Sequence, residues 1–308
     1  MRARGSAGRR SPRTAAGWRR SVPPVGRRAF VSPSRHKAHA MSEFIPTPNP
    51  ERPDDPFLLR GRVALVVGAG DPLGRASAVA LAEAGAGVAV ASLRAGTQEV
   101  VRVNSVANEI WSLGRNNVAI TLDATDGNSV DAAIARASSE LGRLDILVNA
   151  ADLPVAAPID ELSPSDWQAI LAANLLGPAM LASAAARVMR VNGYGRIINV
   201  VSVLAARGVA NTSAYAAAHA GVLALTRSLS QEWARAGITV NALQVGIYEG
   251  QHGFGDDPDA VAQVARMLPA KELVKPEDVG AAVVGLAADS GFITGETIAV
   301  DGAATARV

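Results

Sequence analysis

The sequence predicts an α/β fold: one domain built on a doubly wound parallel sheet of about seven strands, with helices on both faces. Three observations carry that prediction. Short apolar runs alternate with longer helical stretches about seven times between residues 61 and 302. Such alternation joins strands in parallel through right-handed crossovers. The runs are apolar throughout rather than at every second residue, as strands covered on both faces are. Composition agrees: 308 residues, 49% hydrophobic but only 4% aromatic, with 29 Gly. That length supports one large core, and the small residues suit closely packed helices and backbone.

The elements follow in order. Residues 62–68 (RVALVVG) read as a first strand and 73–84 as a helix ended by Gly85. A second strand at 88–92 precedes a helix at 97–113. A third strand at 118–122 precedes a helix at 127–141. The fourth strand is 144–149, followed by one long helix at 164–191. Strand 196–202, helix 212–236 and strand 239–244 come next. Residues 246–275 are charged and rich in Gly and Asp at first, and read as a mobile stretch that could cover a site. Helix 276–288 and strand 297–300 close the pattern. Sheets of this kind take ligands beyond the carboxyl ends of their strands.

Other classes are excluded by composition. With no cysteine, there is no disulfide scaffold, thiol nucleophile or thiolate-bound metal. Four scattered histidines argue against a zinc site, and no metal is expected. The net charge of +2 is misleading, because residues 1–40 hold 11 Lys and Arg and no acid. The remainder carries 19 basic and 28 acidic residues, a net of −9, and gives no reason to expect nucleic acid. Residues 1–40 read as a disordered basic extension and 41–60 as an extended Pro-rich lead-in to the domain at 61–308. Three readings fit the extension: translation from upstream of Met41 as the true first residue, a transit peptide, or a basic arm. The expected location is cytoplasmic under the first and an organelle such as the mitochondrion under the second. Residues 167–186 lack charge, but Asn174, Gly177, Pro178 and Ser183 interrupt them; a buried or interface helix is expected, not a membrane span.

Chemistry starts at Gly68-Ala69-Gly70-Asp71-Pro72-Leu73-Gly74, between the first strand and the first helix. A tight glycine turn at a helix N-terminus presents backbone N–H groups and a positive dipole end to a pyrophosphate, the Rossmann-like arrangement. Here the resemblance to the short-chain dehydrogenase/reductase family is plain. Val67 to Gly74 resembles T-G-x-x-x-G-x-G, with Val67 for Thr and Pro72 for the middle Gly. Residues 145–152 (DILVNAAD) resemble D-I-L-V-N-N-A-G, with Ala150 and Asp152 as departures. Asp123-Ala124-Thr125 resembles the family's Asp-x-Thr, and 293–302 (ITGETIAVDG) its C-terminal signature. The resemblance spans nearly all of 60–303.

The resemblance implies a nicotinamide dinucleotide held by Gly68, Gly70, Leu73 and Gly74, by Ser92 and Arg94, by Asp123 and Ala124, by Asn149 and Ala151, and by Tyr215 and His219. An acid usually ends the second strand in NAD binders. Ser92 stands there instead, and Arg94 could pair with a 2′-phosphate, so NADP is expected over NAD. The family's catalytic Asn, Ser and Tyr fall on Asn174, Ser202 and Tyr215, with Ser202 and Tyr215 thirteen residues apart. The Lys of Y-x-x-x-K is His219, and the Pro of the Pro-Gly after strand six is Val245. A Tyr hydroxyl titrates near 10 unaided, so it needs a partner to exchange protons near neutrality. His219 lies one helical turn along on the same face.

Two functions are therefore expected from this sequence. One is an NAD(P)-dependent oxidoreductase moving a hydride between the cofactor and a carbonyl, alcohol or enoyl substrate. The other is a catalytically degenerate member acting as a binding or partner subunit. The resemblance also implies a homodimer or homotetramer packed through the Ala-rich helices at 167–186 and 212–226.

Overall fold

Every side chain of the first strand, β1 (Val63–Val67, VALVV), is buried. Helices cover both its faces, so neither set of alternate residues meets water. In the computed structural model the described residues are 58–94, 96–251 and 258–306. The expected N-terminal extension, most of the lead-in, and residues 252–257 of the expected mobile stretch lie outside them.

After β1 come α1 (Pro72–Glu83), β2 (Gly87–Ala91), α2 (Thr97–Ser112), β3 (Asn117–Ile120), α3 (Gly127–Leu141) and β4 (Ile146–Asn149). The second half holds α4 (Pro164–Leu171), α5 (Gly177–Asn192), β5 (Gly195–Ser202), α6 (Ser213–Trp233), β6 (Ile238–Val245), α7 (Pro258–Met267), α8 (Pro276–Ala288) and β7 (Thr297–Val300). All seven strands pair in parallel in the order β3-β2-β1-β4-β5-β6-β7. The chain leaves β1 toward one edge and returns at β4 to build toward the other. This reversal opens a crevice at the carboxyl ends of β1 and β4.

The strands' period of two divides the core into two layers. Leu65, Val67, Leu147 and Ile197 face Ile134, Leu181, Met189 and Trp233 of α3, α5 and α6. Val66, Val90, Val148 and Leu243 face Leu81, Ile110 and Val283 of α1, α2 and α8.

Three local expectations need correction. The long helix at 164–191 is interrupted by a π-helical turn, Ala172–Leu176, where the Gly177 N–H donates to the Ala172 carbonyl. Pro178 has no N–H for the Asn174 carbonyl, so regular α-helical bonding cannot pass this point. Pro164–Asn192 has the length and hydropathy of a membrane span, and 56% of its apolar stretch is buried within the fold. The expected mobile stretch contains α7, whose sequence carries an acid in its first turn and Arg266 in its last. The third strand stops at Ile120 instead of 122, because the Leu122 N–H turns to the Ser92 hydroxyl.

Candidate active site

Two glycines set the crevice. Gly68 ends β1 with φ +81°, and a Cβ there would stand 2.6 Å from the Ala151 backbone. A Cβ on Gly74 would stand 2.1 Å from the Gly68 carbonyl oxygen. Only bare backbone lets β1, α1 and the end of β4 approach this closely. Helix α1 starts on Pro72, and the Asp71 side chain does not cap it. The N–H groups of Leu73 and Gly74 therefore face the crevice without a side-chain cap, as an anion site requires. Gly70 lies over α2 beside Arg102, which is ion-paired with Glu99.

At the adenosine end the expected residues divide. Arg94 is exposed, and its charge reaches Asp123. The Asp123 carboxylate accepts hydrogen bonds from the Thr125 hydroxyl (2.6 Å) and N–H (2.9 Å). Those bonds, with Arg94, hold its pKa below the ordinary carboxylate value. Ala124 is fully buried, and its N–H donates to the Leu93 carbonyl. Ser92 is buried too, and its hydroxyl is used twice by the Leu122 backbone, as donor and acceptor at 3.2 Å. The structure thus makes Ser92 a clasp between the ends of β2 and β3 rather than a free ribose contact. Asn149 also differs from expectation. Its amide donates to the Asn199 Oδ1 at 2.7 Å, and the Asn199 amide donates to Thr226, inside the layer under α6. Side chains alternate along β4, so this one points away from the crevice, and only its backbone and that of Ala151 border it.

The catalytic candidates come together on the other side. Tyr215 and His219 are both about 5% exposed, with ring centroids 4.3 Å apart. The Ser202 N–H donates to His219 Nδ1 at 3.3 Å, which assigns the proton of the neutral ring to Nε2. The Ser202 hydroxyl accepts from the Leu204 N–H and reaches the Tyr215 hydroxyl. Asn174 is 2% exposed, and its amide is engaged at both ends with the Leu153 backbone, at 2.8 and 2.9 Å. Both ends of the Asn174 side chain are thus taken up by the protein's own backbone.

Two residues that sequence reasoning missed complete the cluster. The Tyr215 hydroxyl donates to Asp152 Oδ2 at 2.8 Å, and His219 Nε2 lies 3.3 Å from Asp152 Oδ1, off hydrogen-bond alignment. Tyr248, just past β6, lines the same cavity with Asp71, Leu73 and Gln251. The signal at 152 was an acid where the family pattern has Gly, at the end of a buried strand. The cavity measures about 30 Å³, one water's share of liquid volume.

Burial raises the pKa of both tyrosines above the ordinary 10.0, Tyr215 well above it, and the charge of Asp152 adds to the effect on each. Unfolded tyrosines release protons near 10, whereas these remain protonated in the native state. Above pH 10 the native state then binds more protons than the unfolded one, and stability falls as pH rises. We expect the urea midpoint to decline between about pH 10 and 12, and to decline less in Tyr215→Phe. An equal decline in the variant would reject this account.

Comparison with known proteins gives the same frame. The family model described as enoyl-(acyl carrier protein) reductase matches residues 68–305. The chain is 39% identical over 247 residues to cis-4-hydroxycyclohexanecarboxylate dehydrogenase of Sinomonas cyclohexanicum, covering 80% of this chain and 97% of that protein. It is 35% identical to the 3-oxoacyl-(acyl-carrier-protein) reductase of Vibrio harveyi, covering 79% and 97%. A gluconate 5-dehydrogenase from Burkholderia cenocepacia J2315, solved in complex with NADP and tartrate, superposes with a TM-score of 0.76 at 33% identity, covering 82% of this chain and 99% of that one. By fold, by glycine turn and by these relatives, the chain belongs to the short-chain dehydrogenase/reductase family of oxidoreductases.

Proposed function

We propose that this protein is an NADP-dependent reductase of a small carbonyl substrate, with Tyr215 as the proton donor. The observation that carries the reading is the Tyr215 hydroxyl at the carboxyl end of the sheet, between Ser202 and Asp152, with the His219 ring packed at a tilt one turn on. The residues present fit a dinucleotide. Uncapped N–H groups at the start of α1 suit the pyrophosphate. Asp123 suits the adenine side and Arg94 a 2′-phosphate. Tyr215 and His219 border the place of the nicotinamide ribose. A bound reduced nicotinamide supplies the hydride. The protein's own part is to hold the carbonyl oxygen at the Ser202 hydroxyl and to protonate it from Tyr215 as charge develops there.

The dehydrogenases and reductases among the relatives, and the NADP in the Burkholderia structure, support this class of reaction. The substrate is chosen by residues 152–160, 203–212 and 246–275, which follow β4, β5 and β6 in the sequence. A fluorescence titration of the full chain with NADPH and NADH tests the cofactor assignment. We expect NADPH to bind at least about tenfold more tightly, and Arg94→Ala to erase that preference, as loss of a charge-assisted hydrogen bond does. No binding of either at millimolar concentration would overturn the reading.

We further propose a homo-oligomer. Its support is the apolar surface left by the interrupted helix, where Leu176 is 51% exposed. Light scattering that shows only monomer would reject it.

A further inference from the structure

The cavity at Tyr215 is walled by acids and holds no base. Asp152 and Asp71 line it, and no Lys or Arg does among the described residues. The stretches 152–163 after β4 and 246–251 after β6 add Asp160, Glu161 and Glu249, again with no Lys or Arg. Arg207, after β5, donates to the Ala304 carbonyl at 2.6 Å. His219 supplies no charge, because its Nδ1 accepts from the Ser202 N–H and the ring is then neutral. Asp152 itself is only half used. Its Oδ2 accepts the Tyr215 hydroxyl at 2.8 Å. Its Oδ1 is buried with no hydrogen-bond donor among the described residues, since His219 Nε2, 3.3 Å away, is off alignment. A buried carboxylate oxygen without a donor is unfavourable, and a ligand cation seated against it relieves this.

Carbonyl reduction leaves a tyrosinate beside this carboxylate, two like charges in contact, so Asp152 slows that reaction. A C=N bond that already carries a positive charge needs no proton from Tyr215, and its charge suits Asp152. We propose that the protein also reduces iminium ions, with Asp152 as the carboxylate that binds their positive charge. The inference goes beyond carbonyl reduction and shares with it only the bound dinucleotide.

A hydride from the reduced nicotinamide forms a C–H bond at the iminium carbon. The π pair of the C=N bond becomes a lone pair on nitrogen, and the positive charge disappears. The nicotinamide is oxidised and the iminium is reduced to an amine. No proton leaves the protein; the amine later takes one from water. The substrate's charge is fullest before the hydride arrives. Asp152 therefore holds the substrate more strongly than the transition state, and its contribution falls on KM.

Two substrates test this in the full chain with NADPH: N-methylpyrrolinium, a permanently charged cyclic iminium, and cyclopentanone, a neutral ketone of similar size. We expect N-methylpyrrolidine as the product by proton NMR, and a higher kcat/KM for the iminium than for the ketone. Asp152→Asn should raise KM for the iminium by about tenfold or more, as loss of one charge-assisted contact does, without lowering kcat. It should raise turnover of cyclopentanone. Asp152→Gly should act alike, which guards against a loss of folding in either variant. Tyr215→Phe should lower iminium reduction by less than about tenfold, short of the usual effect on a general-acid step. Binding is read apart from turnover by line broadening of N,N-dimethylpyrrolidinium, an unreactive cation, which should weaken in Asp152→Asn. An iminium KM unmoved by both Asp152 substitutions overturns the proposal. So does reduction of cyclopentanone without reduction of the iminium, and the carbonyl reading then stands. Reduction of the iminium alone supports the proposal and overturns the carbonyl reading. No turnover of either substrate by a chain that binds NADPH overturns both.

Discussion

Tyr215→Phe is expected to lower carbonyl reduction by about 10²–10⁴-fold, the usual contribution of a positioned general acid, with dinucleotide affinity nearly unchanged. Phe keeps the ring that packs at 4.3 Å against His219, so α6 and the end of β5 stay in place. What is lost is one hydroxyl and the hydrogen bond it donates to Asp152. Asp152 is a quarter exposed, so water can replace that donor, and little stability is lost. The expected signature is a fall in kcat with KM almost constant, because the hydroxyl acts as charge develops on oxygen. Steady-state kinetics on any accepted ketone measures it. Full activity in the Phe variant would remove Tyr215 from the mechanism and return the site to a binding role.

The second large effect belongs to the glycine turn. Gly74→Ala is expected to destabilise the fold by about 3 kcal/mol, at the upper end for an overpacked site. The added methyl would stand 2.1 Å from the Gly68 carbonyl oxygen and 2.9 Å from the Ala69 Cα. Both neighbours are backbone and cannot rotate away. Helix α1 would have to shift off β1, taking its N-terminal N–H groups from the crevice, so dinucleotide binding should fall as well. Thermal unfolding should show a Tm lower by about 6–12 °C, given about 2–4 °C per kcal/mol at this size. Gly285→Ala in α8 is the control. Nothing lies within 4 Å of a Cβ there, so Ala should be neutral or stabilising by up to about 1 kcal/mol. Equal Tm values for Gly74→Ala and the unchanged chain would refute the close-packing account.

Much of the fold was legible because burial on both faces leaves an unmistakable mark. Runs such as VALVV in β1 and ILVN in β4 have no polar alternation to misread. Helices α3 and α8 fell at their expected bounds, as their starts and stops carry standard chemistry: Asp126 caps α3 and Gly142 ends it with φ +84°, and Pro276 opens α8. The π turn was less legible. Pro178 marked the place, but the hold of the Asn174 side chain on the Leu153 backbone within the turn is not revealed by periodicity. Helix α7 was hidden by the Gly- and Asp-rich residues before it, although its own end charges pointed to a helix.

The amino-acid sequence alone determined the alternating architecture, the glycine turn, and the juxtaposition of Ser202, Tyr215 and His219. The first two follow from local spacing and turn chemistry, and His219 follows Tyr215 by one helical turn; the pairing of Ser202 with Tyr215 thirteen residues on follows from the resemblance to the family pattern. Tertiary structure decided the rest. Ser92 and Asn149 are polar residues at strand ends, and only the partner across the sheet shows that Leu122 and Asn199 have taken their side chains. Asp152 and His219 are 67 positions apart, and no spacing rule relates them. They meet because parallel pairing of β4 with β5 brings the end of one strand beside the start of α6. A side chain's spacing says where it can point, whereas the charge it meets there depends on which distant strand the sheet sets beside it.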